Sequence, residues 1–360
     1  MASTNARTRA GHEYPAGGPA GGSGRPGVGN AHGKAILLGE HAVVYGAPAL
    51  AIPVPQLTAT AKATRFPCPG NGADRVSFSL TGSGSAAATP LATDGLRRLV
   101  AEFKEMTGVT GRMCVDVLID CSIPQGRGLG SSAACARAAV LAFADLFGHR
   151  LDAQEVFDLV QTSEKVAHGR ASGIDALATG STSPLLFRSG SARELPVPVP
   201  GSGPPHPPER SGHRGFDGVF VIGDSGVGGS TKDAVRMLRR KFERDPAAQT
   251  DFVCRVSSLT DGAAEDLAHG RCGDFGARMT ENHRLLRDIG LSTDVIDALV
   301  DAAVAAGGLG AKISGGGLGG CMIALAGEPR RARAVVRSLR ETGAIRTWVV
   351  PTGRFVSHAD

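Results

Sequence analysis

The chain has 360 residues, 42% of them hydrophobic, enough to bury a substantial core and more in keeping with two domains than one. Its formal charge of +5 is modest and scattered, and no basic module interleaved with aromatics accompanies it, which argues against a nucleic-acid partner. Seven cysteines without CxxC or Cys/His metal spacing, no apolar leader and no apolar run of spanning length together predict reduced, buried thiols in a cytoplasmic protein that stays out of the membrane.

Residues 1–29 are rich in Gly, Ala and Pro, lack periodic apolar positions and are expected to form a disordered tail. Strands are expected at 35–38 and 49–64, the second alternating Leu57, Ala59 and Ala61 with Thr58, Thr60 and Lys62. Val76, Phe78 and Leu80 mark another strand. A helix follows, with Thr93 as N-cap, Leu96, Leu99, Val100, Phe103 and Met106 on one face, and Gly108 as its stop. Met113, Val115, Val117 and Ile119 then alternate in a strand that runs into Pro124 and the segment GRGLGSSAA at 126–134. The helix beyond it, 132–147, is small or apolar on nearly every side, which implies burial all round.

Asp152 and Glu155 have the spacing of a capping box, and the helix they open stops at Gly169. Residues 194–215 are too proline-rich for a helix or a central strand and are expected as a long surface loop or slack at a domain junction. A strand at 217–222 and helices near 231–244, 250–269, 274–289 and 293–306 come next. The basic run at 236–244 reads as one solvated helix face. A glycine loop at 314–320, a strand at 321–326, a helix at 329–341 and a strand at 345–350 close the chain. Strands alternating with helices predict two α/β sandwiches with the active site in the cleft between them.

Four segments carry chemistry. The glycine turn at 126–130 precedes a helix, so its backbone N–H groups and the positive helix end make a phosphate cradle. Ser131 and Ser132 add hydroxyls where a nucleotide-bound Mg²⁺ needs oxygen ligands. No lysine follows the glycines, so this is not a Walker A loop. Lys34 enters a short apolar strand directly, and a buried ammonium requires an anionic partner. Glu164 sits near a helix C-terminus, where the dipole disfavours an acid unless water or a cation holds it. Asp175, eleven residues on, follows a Gly turn at the start of another helix, where a plain first-turn acid is the competing reading. The segment SGGGLGG at 314–320 is followed at once by the apolar CMIALA, which favours a tight backbone wall beside a ligand over a flexible linker. His283 reads as structural.

Three separated motifs, GKAILLGEHAVVYGAPAL at 33–50, IPQGRGLGSSAA at 123–134 and KISGGGLGGC at 312–321, make the sequence resemble the GHMP small-molecule kinases. EKVAHGRASGID at 164–175, DSGVGGSTKDAV at 224–235 and the ENHRLL region extend the resemblance over residues 31–350. It implies a two-domain α/β (α+β) fold: an N-terminal mixed α/β ATP-binding domain at 30–193 and a C-terminal ferredoxin-like α/β sandwich at 216–360, with the active site in the cleft between them. It also implies ATP as co-substrate, Mg²⁺ as metal and a small alcohol as acceptor. Asp175 then matches the position beside the substrate hydroxyl, as base or proton acceptor, and Lys34 bridges that acid and the hydroxyl. Glu164 and Ser132 match the metal ligands. Gly126, Arg127, Gly128, Leu129, Gly130, Ser131 and Ser132 wrap the phosphates, and Glu40, His41, Thr231 and Gly316 border the acceptor pocket.

The sequence departs from the family pattern at three places. His32 stands where Pro usually precedes Gly-Lys. Ala171 replaces the Pro of H-G-x-P-S-G, with Arg170 at its variable site. Arg127 occupies a loop position usually held by a smaller residue. None of these removes a catalytic group. A family kinase with a different alcohol and a non-catalytic ligand sensor remain as alternatives, although a sensor has no need of Lys34, Ser132, Glu164 and Asp175 together. The sequence leaves the oligomeric state open, a homodimer included.

Overall fold

The N-terminal half is a seven-stranded sheet packed against helices, and the C-terminal half is built on a four-stranded antiparallel sheet. The computed structural model describes residues 24–68, 70, 72–82, 85–90, 94–169, 171–195, 197 and 215–352. β1 (Gly27–Leu38) pairs antiparallel with the long β2 (Ala49–Arg65), which also pairs with β5 (Cys114–Cys121) and β6 (Leu185–Arg188). β3 (Arg75–Gly82) lies parallel to β5, with β4 (Ser85–Pro90) on its outer side, and β7 (Ser191–Glu194) completes the sheet beside β6. The parallel pair is joined through α1 (Asp94–Thr107), the crossover that a parallel connection requires.

α2 (Ser131–Phe147) lies directly on β1. A Cβ on Gly27 would sit 2.2 Å from the Ala142 carbonyl oxygen, and one on Gly29 would sit 2.1 Å from that of Ala138. The alanines of α2 permit this approach, and their burial matches the expectation of a helix enclosed on most sides. Phe103, Phe143 and Phe78 fill the space between α1, α2 and the sheet. α3 (Ala153–His168) opens on the expected capping box: Asp152 accepts from the Glu155 N–H, and Glu155 accepts from the Asp152 N–H. A short helix, α4 (Ile174–Ala178), follows.

In the second half, β8 (Val219–Asp224) is followed by four helices, α5 (Thr231–Arg244), α6 (Pro246–Ala268), α7 (Cys272–Asp288) and α8 (Asp294–Ala305). Then come β9 (Gly310–Ser314), β10 (Cys321–Ala326), α9 (Pro329–Glu341) and β11 (Arg346–Pro351). The order β11-β8-β10-β9, antiparallel throughout, is the ferredoxin-like arrangement. The halves share part of their core, while the helices of the C-terminal half also enclose a cluster of their own. Phe216, Phe220 and Phe275 belong to the same cluster as Phe143 and Ile52.

Several expectations need correction. The tail does not extend to residue 29, because β1 begins at Gly27 and Arg25 pairs with Asp145; residues 1–23 lie outside the described residues. Thr93, the expected cap of α1, also lies outside them, and Met106 is exposed rather than on the packed face. Of the 194–215 stretch, Leu195 and Val197 are buried in the shared core, so its beginning is not slack. The cysteines are not all reduced. Cys68, just past β2, and Cys114, which opens β5, are joined in a disulfide, because the two adjacent strands bring them side by side. Alternation had no means of locating β6, β7 and β9, which are short or uniformly buried, or β4, whose sequence SAAATP offers no large apolar residue to alternate.

Candidate active site

One cleft between the halves is lined by Lys34, Glu40, His41, Gly128, Glu164, Asp175, Thr231 and Gly316. These eight come from widely separated stretches of the sequence. Ser132 joins them because its hydroxyl donates to the Glu164 carboxylate. Gly126, Arg127, Leu129, Gly130 and Ser131 form the loop and helix start behind Gly128 and are not part of the cleft wall.

Lys34 is buried within β1, where apolar neighbours on both sides carry it into the core. Its Nζ lies 3.2 Å from Asp175 Oδ1 and donates to the Gly128 carbonyl at 3.0 Å. The ammonium therefore has the anionic partner that its burial demanded. Asp175 is in the first turn of α4, with its side chain about one-third exposed to the cleft. Gly173 precedes that turn at φ 101°, which a side chain resists. Glu164 is almost fully buried near the C-terminal end of α3, against Ser132 at the start of α2.

The phosphate loop is shaped by glycine. Gly126, Gly128 and Gly130 all have positive φ. A Cβ on Gly128 would sit 2.8 Å from the Ser314 carbonyl oxygen, and one on Gly130 would sit 2.9 Å from the Lys34 side chain. The second glycine loop packs onto the first, since a Cβ on Gly315 would meet Gly128 at 2.6 Å. This is the backbone wall expected of residues 314–320. Gly316 lets Thr231 approach, and its carbonyl lies 3.1 Å from His41 Nε2.

His41 occupies the left-handed region at φ 60°, an uncommon conformation for a side-chain-bearing residue and one that gathers at functional sites. Burial lowers its pKa to about 4, with Lys312 repelling the imidazolium and the Gly316 carbonyl opposing the shift. His283 lies outside the cleft wall. Its Nε2 is 3.1 Å from Asp297 and its Nδ1 accepts from the Ile313 N–H, in keeping with a structural role.

Sequence reasoning assigned no role to Lys312 or Ser314, and it placed Arg127 among the phosphate contacts rather than with the partners it has. Lys312 in β9 is fully buried and ion-paired with Glu40, while the second carboxylate oxygen of Glu40 has no hydrogen-bond partner among the described residues. Burial lowers the Lys312 pKa, and Glu40 acts in the opposite direction. Its signal was present in the sequence, a lone lysine in an apolar run, as for Lys34. Ser314 both accepts from the Ile36 N–H and donates to the Ile36 carbonyl, stitching β9 to β1. Arg127 turns its guanidinium away from the loop, to Asp224 and the Gly226 carbonyl.

Ser132 and Glu164 offer hard oxygen donors, suited to Mg²⁺, which takes one or two carboxylates and fills its shell with substrate phosphates and water. Among the described residues no group of three or more His, Cys, Asp and Glu is placed to hold a metal.

A buried lysine paired with a cleft-facing carboxylate beside a glycine loop at a helix start, between a mixed sheet and a ferredoxin-like sheet, is the arrangement of a small-molecule kinase. The GHMP kinases N terminal domain matches residues 91–182, and the GHMP kinases C terminal domain matches residues 263–345. The chain belongs to the GHMP kinases. Within that family it is 31% identical to a mevalonate kinase of Pyrococcus horikoshii over 338 residues, covering 88% of this chain and 92% of the relative. The structure of mevalonate kinase from Staphylococcus aureus MRSA252 aligns at 27% identity and a TM-score of 0.64, covering 92% of this chain and 100% of that one. The structure of L. major mevalonate kinase in complex with R-mevalonate aligns at 23% identity and a TM-score of 0.69, covering 91% and 96%.

Proposed function

We propose that the protein transfers the γ-phosphoryl group of ATP to the 5-hydroxyl of (R)-mevalonate, giving 5-phosphomevalonate and ADP in the mevalonate pathway. The observation that carries the chemistry is Lys34, whose ammonium lies between the Asp175 carboxylate at 3.2 Å and the phosphate loop at 3.0 Å. The acceptor identity rests on the GEHAVVYG segment at 39–46 and on similarity to mevalonate kinases.

Phosphoryl transfer needs positioning and charge stabilisation more than covalent participation. The substrate oxygen attacks the γ-phosphorus while the bond to the bridging oxygen of ADP breaks. A carboxylate is too weak a base to ionise an alcohol in advance, so the proton leaves late, as the O–P bond forms, and passes to Asp175. Lys34 stabilises the negative charge developing on that oxygen. The amides of residues 126–132 cradle the triphosphate. Ser132 and Glu164 would hold Mg²⁺, which when bound neutralises phosphate charge. Glu40, His41, Thr231 and Gly316 border the acceptor side.

Incubating the purified protein with ATP, Mg²⁺ and a panel of alcohols tests the reading. ADP release with mevalonate is expected. Release with phosphomevalonate, homoserine or galactose and none with mevalonate would reassign the acceptor, and no release with any alcohol would favour a ligand sensor.

A further inference from the structure

The loop that receives the triphosphate has little stiffness of its own, since three of its five residues at 126–130 are glycines at positive φ. Its shape is imposed by partners. Five successive carbonyls are committed to protein donors: Gly126 accepts from the Gly229 N–H, Arg127 from the Cys321 N–H, Gly128 from Lys34 Nζ, Leu129 from the Lys34 N–H and Gly130 from the Ala134 N–H. In a trans peptide the N–H points opposite the carbonyl, so fixing these carbonyls also orients the amides that would meet an anion. Two of the five anchors, Gly229 and Cys321, belong to the C-terminal half.

One side chain secures that crossing. Arg127 Nε lies 3.3 Å from Asp224 Oδ1 at the end of β8, and Arg127 Nη2 donates to the Gly226 carbonyl at 2.8 Å. The same Asp224 oxygen accepts from the Gly226 N–H at 2.9 Å, which closes a small knot of loop, strand end and turn. Asp224 is buried and Arg127 nearly so. The remaining nitrogen, Nη1, has no hydrogen-bond partner among the described residues and is sealed from solvent, so it is not presented to a ligand. The guanidinium meets the carboxylate and the carbonyl through two different nitrogens held at a fixed spacing, Nε and Nη2; a lysine has a single nitrogen at the end of a flexible stem and does not reproduce that fork. The turn that Arg127 grips leads directly to Thr231 at the start of α5, on the acceptor side of the cleft.

We propose that Arg127 and Asp224 are positioning residues for ATP: their ion pair clasps the glycine loop of the N-terminal half to the end of β8 and thereby sets the loop conformation that receives the triphosphate. The proposal rests on the kinase reading above. It gives a role to a residue that departs from the family pattern and that the sequence placed among the phosphate contacts.

The test compares the wild type with Arg127→Gln, Arg127→Lys, Asp224→Asn and the double variant Arg127→Gln/Asp224→Asn. KM for ATP is measured alongside kcat, and binding of ATP with Mg²⁺ is measured by calorimetry. Each single variant is expected to weaken ATP binding about tenfold, the equivalent of ~1.4 kcal/mol, with the loss concentrated in KM. Arg127→Lys is expected to resemble Arg127→Gln rather than the wild type. The double variant is expected to be no worse than either single one, because both substitutions open the same clasp.

An effect of Arg127→Gln without one of Asp224→Asn would mean that the arginine touches phosphate directly, and the proposal would fall. ATP affinity within twofold of wild type in both would also overturn it. Should Arg127→Gln melt too low to assay, Arg127→Lys, which keeps the buried charge, decides the question by the same measurements. Absence of wild-type turnover would count against the mevalonate reading alone, since calorimetry reports on the clasp without chemistry.

Discussion

Asp175 and Lys34 bear opposite charges 3.2 Å apart in the cleft lining, and the carboxylate is much the more exposed of the two. Replacing Asp175 by Asn keeps the shape and removes the proton acceptor. Turnover is expected to fall by about 10²–10⁴-fold while ATP binding stays close to wild type; full activity would reduce Asp175 to a helix-start acid. Glu164 is buried against Ser132, so Glu164→Gln removes a charge and little volume. The Mg²⁺ titration of activity is expected to shift upward roughly tenfold or more, and an unchanged titration would take Glu164 out of the metal site. The histidines set a pH limit. Burial lowers the pKa of both His41 and His283 from 6.5 to about 4. Between those values the unfolded chain holds the extra protons, so stability is full above pH 6.5 and declines as pH falls toward 4. Tm is expected to drop across that window, less so in His283→Gln. A flat profile would contradict the burial of these rings.

At the scale of elements, the contact between β1 and α2 positions Lys34 against the loop that begins α2. It depends on Gly27 and Gly29, which carry no side chain where the helix backbone passes. Gly29→Val places a branched side chain against the Ala138 carbonyl. It is expected to cost about 3 kcal/mol, the upper part of the overpacking range, as read from the midpoint of urea unfolding. A loss below about 0.5 kcal/mol would mean that β1 and α2 separate easily. The strands and helices were legible where the pattern was strong. The capping box at Asp152, the stop at Gly169 and the alternation at 113–119 each record a local rule. β6 and β7 were not legible, because four residues give too little periodicity to separate a strand from a loop.

At the scale of the whole molecule, the two sheets share a core, and several polar links cross between the halves: Lys312 with Glu40 and Ser314 with Ile36 beside the cleft, Arg127 with Asp224 behind its wall, and Gln56 with the Val349 carbonyl farther off. The Cys68–Cys114 disulfide lies away from that junction and ties β2 to the start of β5. Thiol titration of unfolded, unreduced protein is expected to count five free thiols, rising to seven after reduction. Seven at the outset would restore the reading of fully reduced cysteines. No helix among the described residues is long and apolar enough to cross a membrane.

Much of the chemistry was written locally, since a lysine in an apolar strand and an acid at a helix C-terminus go against ordinary preferences and a glycine turn before a helix is a local signal. Asp175, a favoured first-turn acid, stood out only through the family motif. Sequence alone therefore singled out Lys34, Asp175, Glu164 and the loop at 126–130. Which of them share a cleft depended on strand order and on the packing of the two sheets, which bring Lys34 within reach of a carboxylate 141 positions away. The partners of Glu40 and Arg127, and the pairing of Cys68 with Cys114, were likewise settled by long-range contacts, because a buried charge or thiol signals its need for a partner without naming it.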